Sequence, residues 1–229
     1  MIYNIAIDGP AGAGKSTIAR RVAKELSFIY VDTGAMYRAM ALYLLRREVN
    51  RDDTEQIGNI CQDADISIEY QNGEQIVLLN GENVNSYLRT EEVGNMASVS
   101  SAVPRVREKL LSLQRKLAKD MSVVMDGRDI GTTILPDADV KIYLTASSLT
   151  RARRRYLELQ EKGTVCNLDD IQKDIEERDQ RDMNREISPL RQAKDAVLVD
   201  SSDLTIQQVV DRILQIFRSK TTGEDSHES

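Results

Sequence analysis

The nine residues Gly9-Pro-Ala-Gly-Ala-Gly-Lys-Ser-Thr17 narrow the fold more than anything else in the chain. They follow an apolar run, Met1 to Ile7. They precede Ile18, Val22 and Leu26, which recur at the i, i+4, i+8 spacing of a helix packed on a sheet. A strand, a Gly-x4-Gly-Lys-Ser turn and a helix together make a phosphate-cradling loop. Composition alone produces such a string on the order of once in a hundred chains of this length, and its strand–helix context lowers that further. Successive backbone N–H groups of the loop converge on the phosphates of a nucleotide, and the following helix adds the positive end of its dipole. Gly9, Pro10, Ala11, Gly12, Ala13, Gly14, Lys15, Ser16 and Thr17 are therefore the candidate nucleotide-binding residues. Lys15 can reach the β- and γ-phosphates, and the Ser16 hydroxyl can ligate Mg²⁺. Thr17 stands where the third glycine of a dinucleotide site belongs, which argues against one.

Composition removes several other classes. The 229 residues are 41% hydrophobic and 30% charged, enough to bury a core. No apolar stretch reaches membrane-spanning length, and no basic-then-apolar leader opens the chain, so a cytoplasmic protein without membrane contact is expected. Cys61 and Cys166 form no C-x-x-C, which argues against a disulfide scaffold or a thiolate metal site. The lone histidine, His227, lies in a polar tail, which removes His-based triads and His metal centres. A net charge of −6 argues against binding to a nucleic-acid backbone.

Five short apolar runs predict buried parallel strands: 2–7, 28–31, 123–125, 140–144 and 196–199. Between them lie helical stripes, one through Val103, Val106, Leu110, Leu113 and Leu117 and another from Ile206 to Phe217. The fold class is α/β, a five-stranded parallel sheet flanked by helices. One region breaks the alternation. Polar and apolar residues alternate from Ala64 to Tyr70, then Asn72-Gly73, a second strand-like run at 75–79, and Asn80-Gly81 follow. Two Asn-Gly turns predict a small antiparallel β insert. The expected organisation is a core of 1–61 and 96–218, an inserted meander at 62–95, a helical lid at about 155–188, and a disordered tail at 219–229. From spacing alone, the insert either decorates an edge or helps to wall in a second substrate.

Three further segments carry chemistry at strand ends, where ligands gather in α/β sheets. Asp32-Thr33-Gly34, with Arg38 one turn on, suits a second phosphate or, alternatively, an ordinary helix cap. Asp126, closing the third strand, is a candidate partner of the phosphate loop for Mg²⁺, with Arg128 and Asp129 next to it in a Gly-flanked turn, or alternatively part of an ordinary Asp-Gly turn. Arg151, Arg153, Arg154 and Arg155 follow the fourth strand. Arg178, Asp182 and Arg185 then lie at i, i+4, i+7 on one helical face. Such charge runs are often solvated faces, but mobile guanidiniums also suit a lid closing over a triphosphate.

These pieces resemble the bacterial cytidylate kinases, a family of P-loop nucleoside monophosphate kinases. The resemblance rests on IDGPAGAGKST at 7–17, DTGAMYR at 32–38, LRTEEV at 88–93, PRVRE at 104–108, DGRDIGT at 126–132, LQEKG at 159–163 and RDQRDMNR at 178–185. They span nearly the whole chain in the family's order. The resemblance implies transfer of the γ-phosphoryl of ATP to CMP or dCMP in pyrimidine metabolism, with Mg²⁺ held by Ser16 and Asp126. It implies that Thr33, Arg38 and Arg128 hold the CMP phosphate, that Ser98, Arg107, Asp129 and Arg178 surround the cytosine, that Asp182 meets the ribose, and that Arg185 lies by the transferred group. Lys15, Arg128, Arg178 and Arg185 are then the catalytic set. Asp129 would accept from the cytosine amine, where uracil presents a carbonyl. A monomer with no macromolecular partner is the expectation. A kinase for another small acceptor, and a non-catalytic nucleotide switch, remain alternatives. No N/T-K-x-D guanine motif supports the latter.

Overall fold

Strand and helix alternate wherever the apolar runs require it. The computed structural model describes residues 1–222, so His227 lies outside the described residues. The chain runs β1 (Asn4–Asp8), α1 (Lys15–Leu26), β2 (Ile29–Asp32), α2 (Thr33–Arg46), α3 (Thr54–Ile60), β3 (Ile66–Gln71), β4 (Glu74–Leu79), β5 (Glu82–Asn83), α4 (Glu91–Ser100), α5 (Pro104–Asp120), β6 (Val123–Gly127), β7 (Val140–Thr145), α6 (Ser148–Glu161), α7 (Leu168–Asn184), β8 (Val197–Asp200) and α8 (Ile206–Thr222). Strands β2, β6, β1, β7 and β8, in that order, form a five-stranded parallel sheet, and β3, β4 and β5 form a separate three-stranded one. The expected fold class is therefore observed.

By packing, the chain divides into two compact units. Residues 3–28 with those from 124 onward form one, and 29–123 form the other. In the first, Ile5, Ile7, Ile142 and Leu144 are fully buried on the sheet, and α1 adds Ile18 and Val22. Each such side chain removed from water contributes roughly 2–3 kcal/mol. Helix α8 closes this core with Val209, Ile213 and Phe217, the last edge-on to both Tyr3 and Phe28. Residues 219–222, expected in the disordered tail, continue α8, because the helical pattern ahead of them carries the backbone through; the rest of the tail lies outside the described residues.

In the second unit the meander forms as its turns dictate. Asn72 and Gly73 (φ 53° and 79°) join β3 to β4, and Asn80 and Gly81 (φ 50° and 82°) join β4 to β5. Two consecutive positive φ angles match the twist of an antiparallel pair, and the register follows, with Gln71 opposite Glu74 and Leu79 opposite Glu82.

Candidate active site

The phosphate loop depends on a glycine where β1 ends. Gly9 has φ 152°, and a Cβ there would lie 1.9 Å from the Leu144 carbonyl oxygen, so no other residue fits. The loop ends at Gly14 (φ 85°), which caps α1 without any side-chain hydrogen bond. The first N–H groups of the helix are thus left for an anion. Lys15 is buried and its Nζ donates to the Pro10 carbonyl at 2.7 Å. Burial, reinforced by the Arg128 charge, pushes the Lys15 ammonium down to about 7, against the pull of Asp126, Asp182 and Asp8. Ser16 Oγ donates to Asp126 Oδ2 at 3.0 Å, which joins the loop to the end of β6. A hydroxyl and a carboxylate oxygen in contact are hard oxygen donors of the kind Mg²⁺ takes from protein when phosphates and water complete its shell.

After β6 the chain makes one turn of π-helix, Ile130–Ile134, a form that tends to mark functional segments. Asp8 holds this turn. Its Oδ1 accepts from the Ile130 N–H and its Oδ2 from the Gly131 N–H, both at 2.7 Å. Burial raises the Asp8 carboxyl to about 6, with Asp129 adding to the rise and the two N–H donors and Lys15 opposing it. The residues fixed just ahead of this turn, Arg128 and Asp129, meet α7. Arg128 Nε donates to Asp182 Oδ2 at 2.7 Å, and Arg185 Nη2 to Asp129 Oδ1 at 3.4 Å. Burial works against the Asp182 charge, but Arg128, together with Arg178 and Arg185, holds the carboxyl below its ordinary range. Helix α7 carries Arg178 and Asp182 and is capped by Arg185. Lys15, Ser16, Asp126, Arg128, Asp129, Arg178, Asp182 and Arg185 thus belong to one unit and one electrostatic network.

The arginines after β7 do not behave as a mobile set. Arg151 is buried and bonded to Ala146 and Ala11 carbonyls and to Asp179, while Arg154 donates to the Ser201 carbonyl at 2.7 Å. Arg155 pairs with Glu158, and Arg153 alone of the four is exposed without a described partner in that run.

Thr33, Arg38, Ser98 and Arg107 belong to the other unit. Thr33 is buried at the start of α2, capped by Asp32, whose side chain accepts from the Ala35 N–H at 2.8 Å and from Arg38 Nη2 at 2.9 Å. The helix-cap alternative and the arginine are therefore parts of one arrangement. Gly34 makes room for it, since a Cβ there would lie 2.9 Å from Arg38 Nη1. The meander is tied to this segment. Gln75 of β4 donates to the Asp32 carbonyl at 3.2 Å and accepts from the Asp32 N–H at 2.9 Å, and the Tyr70 hydroxyl donates to the Tyr30 carbonyl. Ser98 Oγ is buried with no hydrogen-bond partner among the described residues. Arg107 is buried, donates to the Ser101 carbonyl at 3.2 Å, and lies over the Tyr37 ring at 5.6 Å.

Sequence reasoning missed Asp8, Asp179 and Gln75, and it misread Arg151. A charged residue ending the apolar run at Ile7 was a signal for Asp8. Nothing in the local pattern separates Arg151 from its three neighbouring arginines, or Gln75 from any exposed strand residue.

Comparison with known proteins agrees over most of the chain. Residues 5–219 match the family model for cytidylate kinase. A cytidylate kinase of Caldicellulosiruptor saccharolyticus is 49% identical over 214 residues, 93% of this chain and 95% of its own. One of Desulfitobacterium hafniense is 50% identical over 216 residues, covering 94% and 93%. Among solved structures, an uncharacterized protein of Eubacterium ventriosum shares the fold at 13% identity and a TM-score of 0.51, covering 95% of this chain and 99% of that one. With a family match over almost every described residue and near-half identity to curated relatives, this chain belongs to the cytidylate kinase family.

Proposed function

We propose that the protein transfers the γ-phosphoryl group of ATP to CMP or dCMP, giving ADP and CDP or dCDP, as a cytoplasmic monomer serving pyrimidine nucleotide metabolism. The observation that carries the reading is the Ser16–Asp126 hydrogen bond beside Lys15, in a chain whose curated relatives are named cytidylate kinase. Among the described residues no helix is long and apolar enough to cross a membrane.

Ser16 and Asp126 are the residues that would hold Mg²⁺, which when bound supplies charge neutralisation along the phosphates. The attacking oxygen of CMP needs no general base, because the second phosphate pKa is about 6. Catalysis is then positioning and electrostatics. The loop N–H groups and Lys15 bind ATP. Thr33, Arg38 and Arg128 hold the acceptor phosphate, and Arg178 and Arg185 neutralise charge on the transferring group. Ser98, Arg107, Asp129 and Arg178 surround the cytosine, and Asp182 meets the ribose. The unpartnered Ser98 Oγ supports its part, since a buried hydroxyl without a partner is costly unless a ligand satisfies it. The lid is the segment at about 155–188, the second half of α6 with α7.

The test is a coupled ADP-release assay with Mg-ATP across CMP, dCMP, UMP, AMP and GMP. The reading expects CMP or dCMP to exceed the others by at least about 10²-fold in kcat/KM. Faster turnover of AMP, GMP or UMP would reassign the acceptor.

A further inference from the structure

We infer that Arg151 and Asp179 are a positioning pair that sets the direction of one phosphate-loop peptide and links it to helix α7. This rests on the proposed ATP role of the loop. Arg151 lies in the first turn of α6, yet its guanidinium reaches three segments. Its Nε donates to the Ala146 carbonyl at 2.9 Å, and its Nη1 donates to the Ala11 carbonyl at 2.9 Å and lies 2.6 Å from Asp179 Oδ2. Both partners of the ion pair are buried, with side chains 7% and 10% exposed. The contact with Ala11 spans 140 residues of sequence.

The consequence follows from peptide geometry. In a planar trans peptide, the carbonyl of one residue and the N–H of the next point in opposite directions. Arg151 fixes the Ala11 carbonyl, and thereby turns the Gly12 N–H to the opposite side. Gly12 has φ 72° and no side chain, so nothing of its own holds that peptide. The Arg151 side chain also packs close, with a Cβ on Gly12 meeting Arg151 Cβ at 3.4 Å. Asp179 holds Arg151 in turn. It sits on α7 beside Arg178 and one turn before Asp182, so the same ion pair ties the loop's N–H direction to the helix that carries those two groups. Arg151 touches no reacting atom in this account and acts only through the loop. A lysine cannot replace it, because a single ammonium on a flexible stem lacks the planar fork that serves two carbonyls and a carboxylate together.

The experiment measures ATP, ADP and CMP binding by calorimetry, with kcat and both KM values, for wild type, Arg151→Lys, Arg151→Gln, Asp179→Asn and Arg151→Gln/Asp179→Asn. Loss of ATP and ADP affinity by ~10- to 100-fold in the Arg151 variants, with CMP affinity within about twofold of wild type, is expected, because one misdirected donor is worth that much. The double variant is expected to be no worse than Arg151→Gln alone, since the two side chains act through one contact. Arg151→Lys keeps a cation beside Asp179, so it supplies the answer if Arg151→Gln does not fold. Wild-type ATP affinity in Arg151→Lys, or an equal loss for ATP and CMP, would overturn the proposal and leave the function intact. Absence of ATP binding by the wild-type protein would instead overturn the functional reading itself.

Discussion

The phosphate-loop network and the Asn-Gly meander are held together in opposite ways. In the network, each contact joins residues far apart in the chain: Ser16 to Asp126, Asp8 to Ile130 and Gly131, Arg128 to Asp182. The carboxylates of Asp8, Asp126 and Asp182 are buried there, and a buried charge is stable only with its partner. In the meander, strands separated by two residues pair through turns whose conformation is written in the Asn-Gly sequence itself. Val77 and Leu79 are buried beneath it, and its side chains reach the rest of the unit through Gln75 to Asp32, Tyr70 to the Tyr30 carbonyl and the exposed Glu82 to Arg46 of α2. Long-range charge pairing builds chemistry, and local turn geometry builds scaffold.

That contrast predicts effects of very different size. The largest concerns Lys15→Ala. It should lower kcat/KM by ~10³-fold or more, because it removes the charge proposed to face the transferring phosphoryl. The melting temperature should hold within a few degrees, since burial already works against the Lys15 charge. Steady-state kinetics beside thermal unfolding check both halves. The next concerns Asp8. Its carboxyl sits at about 6 when folded, against about 3.9 in an unfolded chain. The folded state therefore holds the extra proton between those values, and this contribution to stability is present below pH 4 and lost as pH rises through about 6. Relative to Asp8→Asn, the wild type should lose roughly 2–3 kcal/mol over that window, as read by denaturant unfolding at stepped pH. A flat difference would remove the burial argument. Third, Asp129→Asn should narrow the CMP-over-UMP preference by about tenfold or more, because the carboxylate no longer repels the uracil carbonyl. An unchanged ratio means the base is read elsewhere. The smallest effect belongs to the meander. Gly73→Ala forces φ 79° on an alanine in open space, which should cost about 1 kcal/mol of stability and leave turnover untouched.

The same contrast explains what the sequence made legible. Strands β1, β2, β6, β7 and β8 fall within one or two residues of the five apolar runs, and β3 to β5 meet at the two Asn-Gly turns, because periodicity and turn chemistry are local properties. The loop glycines, Lys15 and Ser16 were visible for the same reason. Asp8 and Arg151 were not read correctly, since their roles depend on the Ile130 and Gly131 amides and on the Ala11 carbonyl, more than a hundred residues away. The arginines after β7 looked alike in sequence, yet one is a buried anchor and another is exposed. Helix α8 ran on past residue 218 because a helix stops where its backbone loses support, and polar composition alone does not mark that point.

Phosphoryl transfer between two nucleotides leaves a trace that isotope labelling follows atom by atom. With γ-³²P-ATP, Mg²⁺ and unlabelled CMP, the label should pass into the β-position of CDP, one CDP for each ADP formed. ADP accompanied by labelled inorganic phosphate, with no labelled CDP, would make the protein a nucleotide hydrolase and not a CMP kinase.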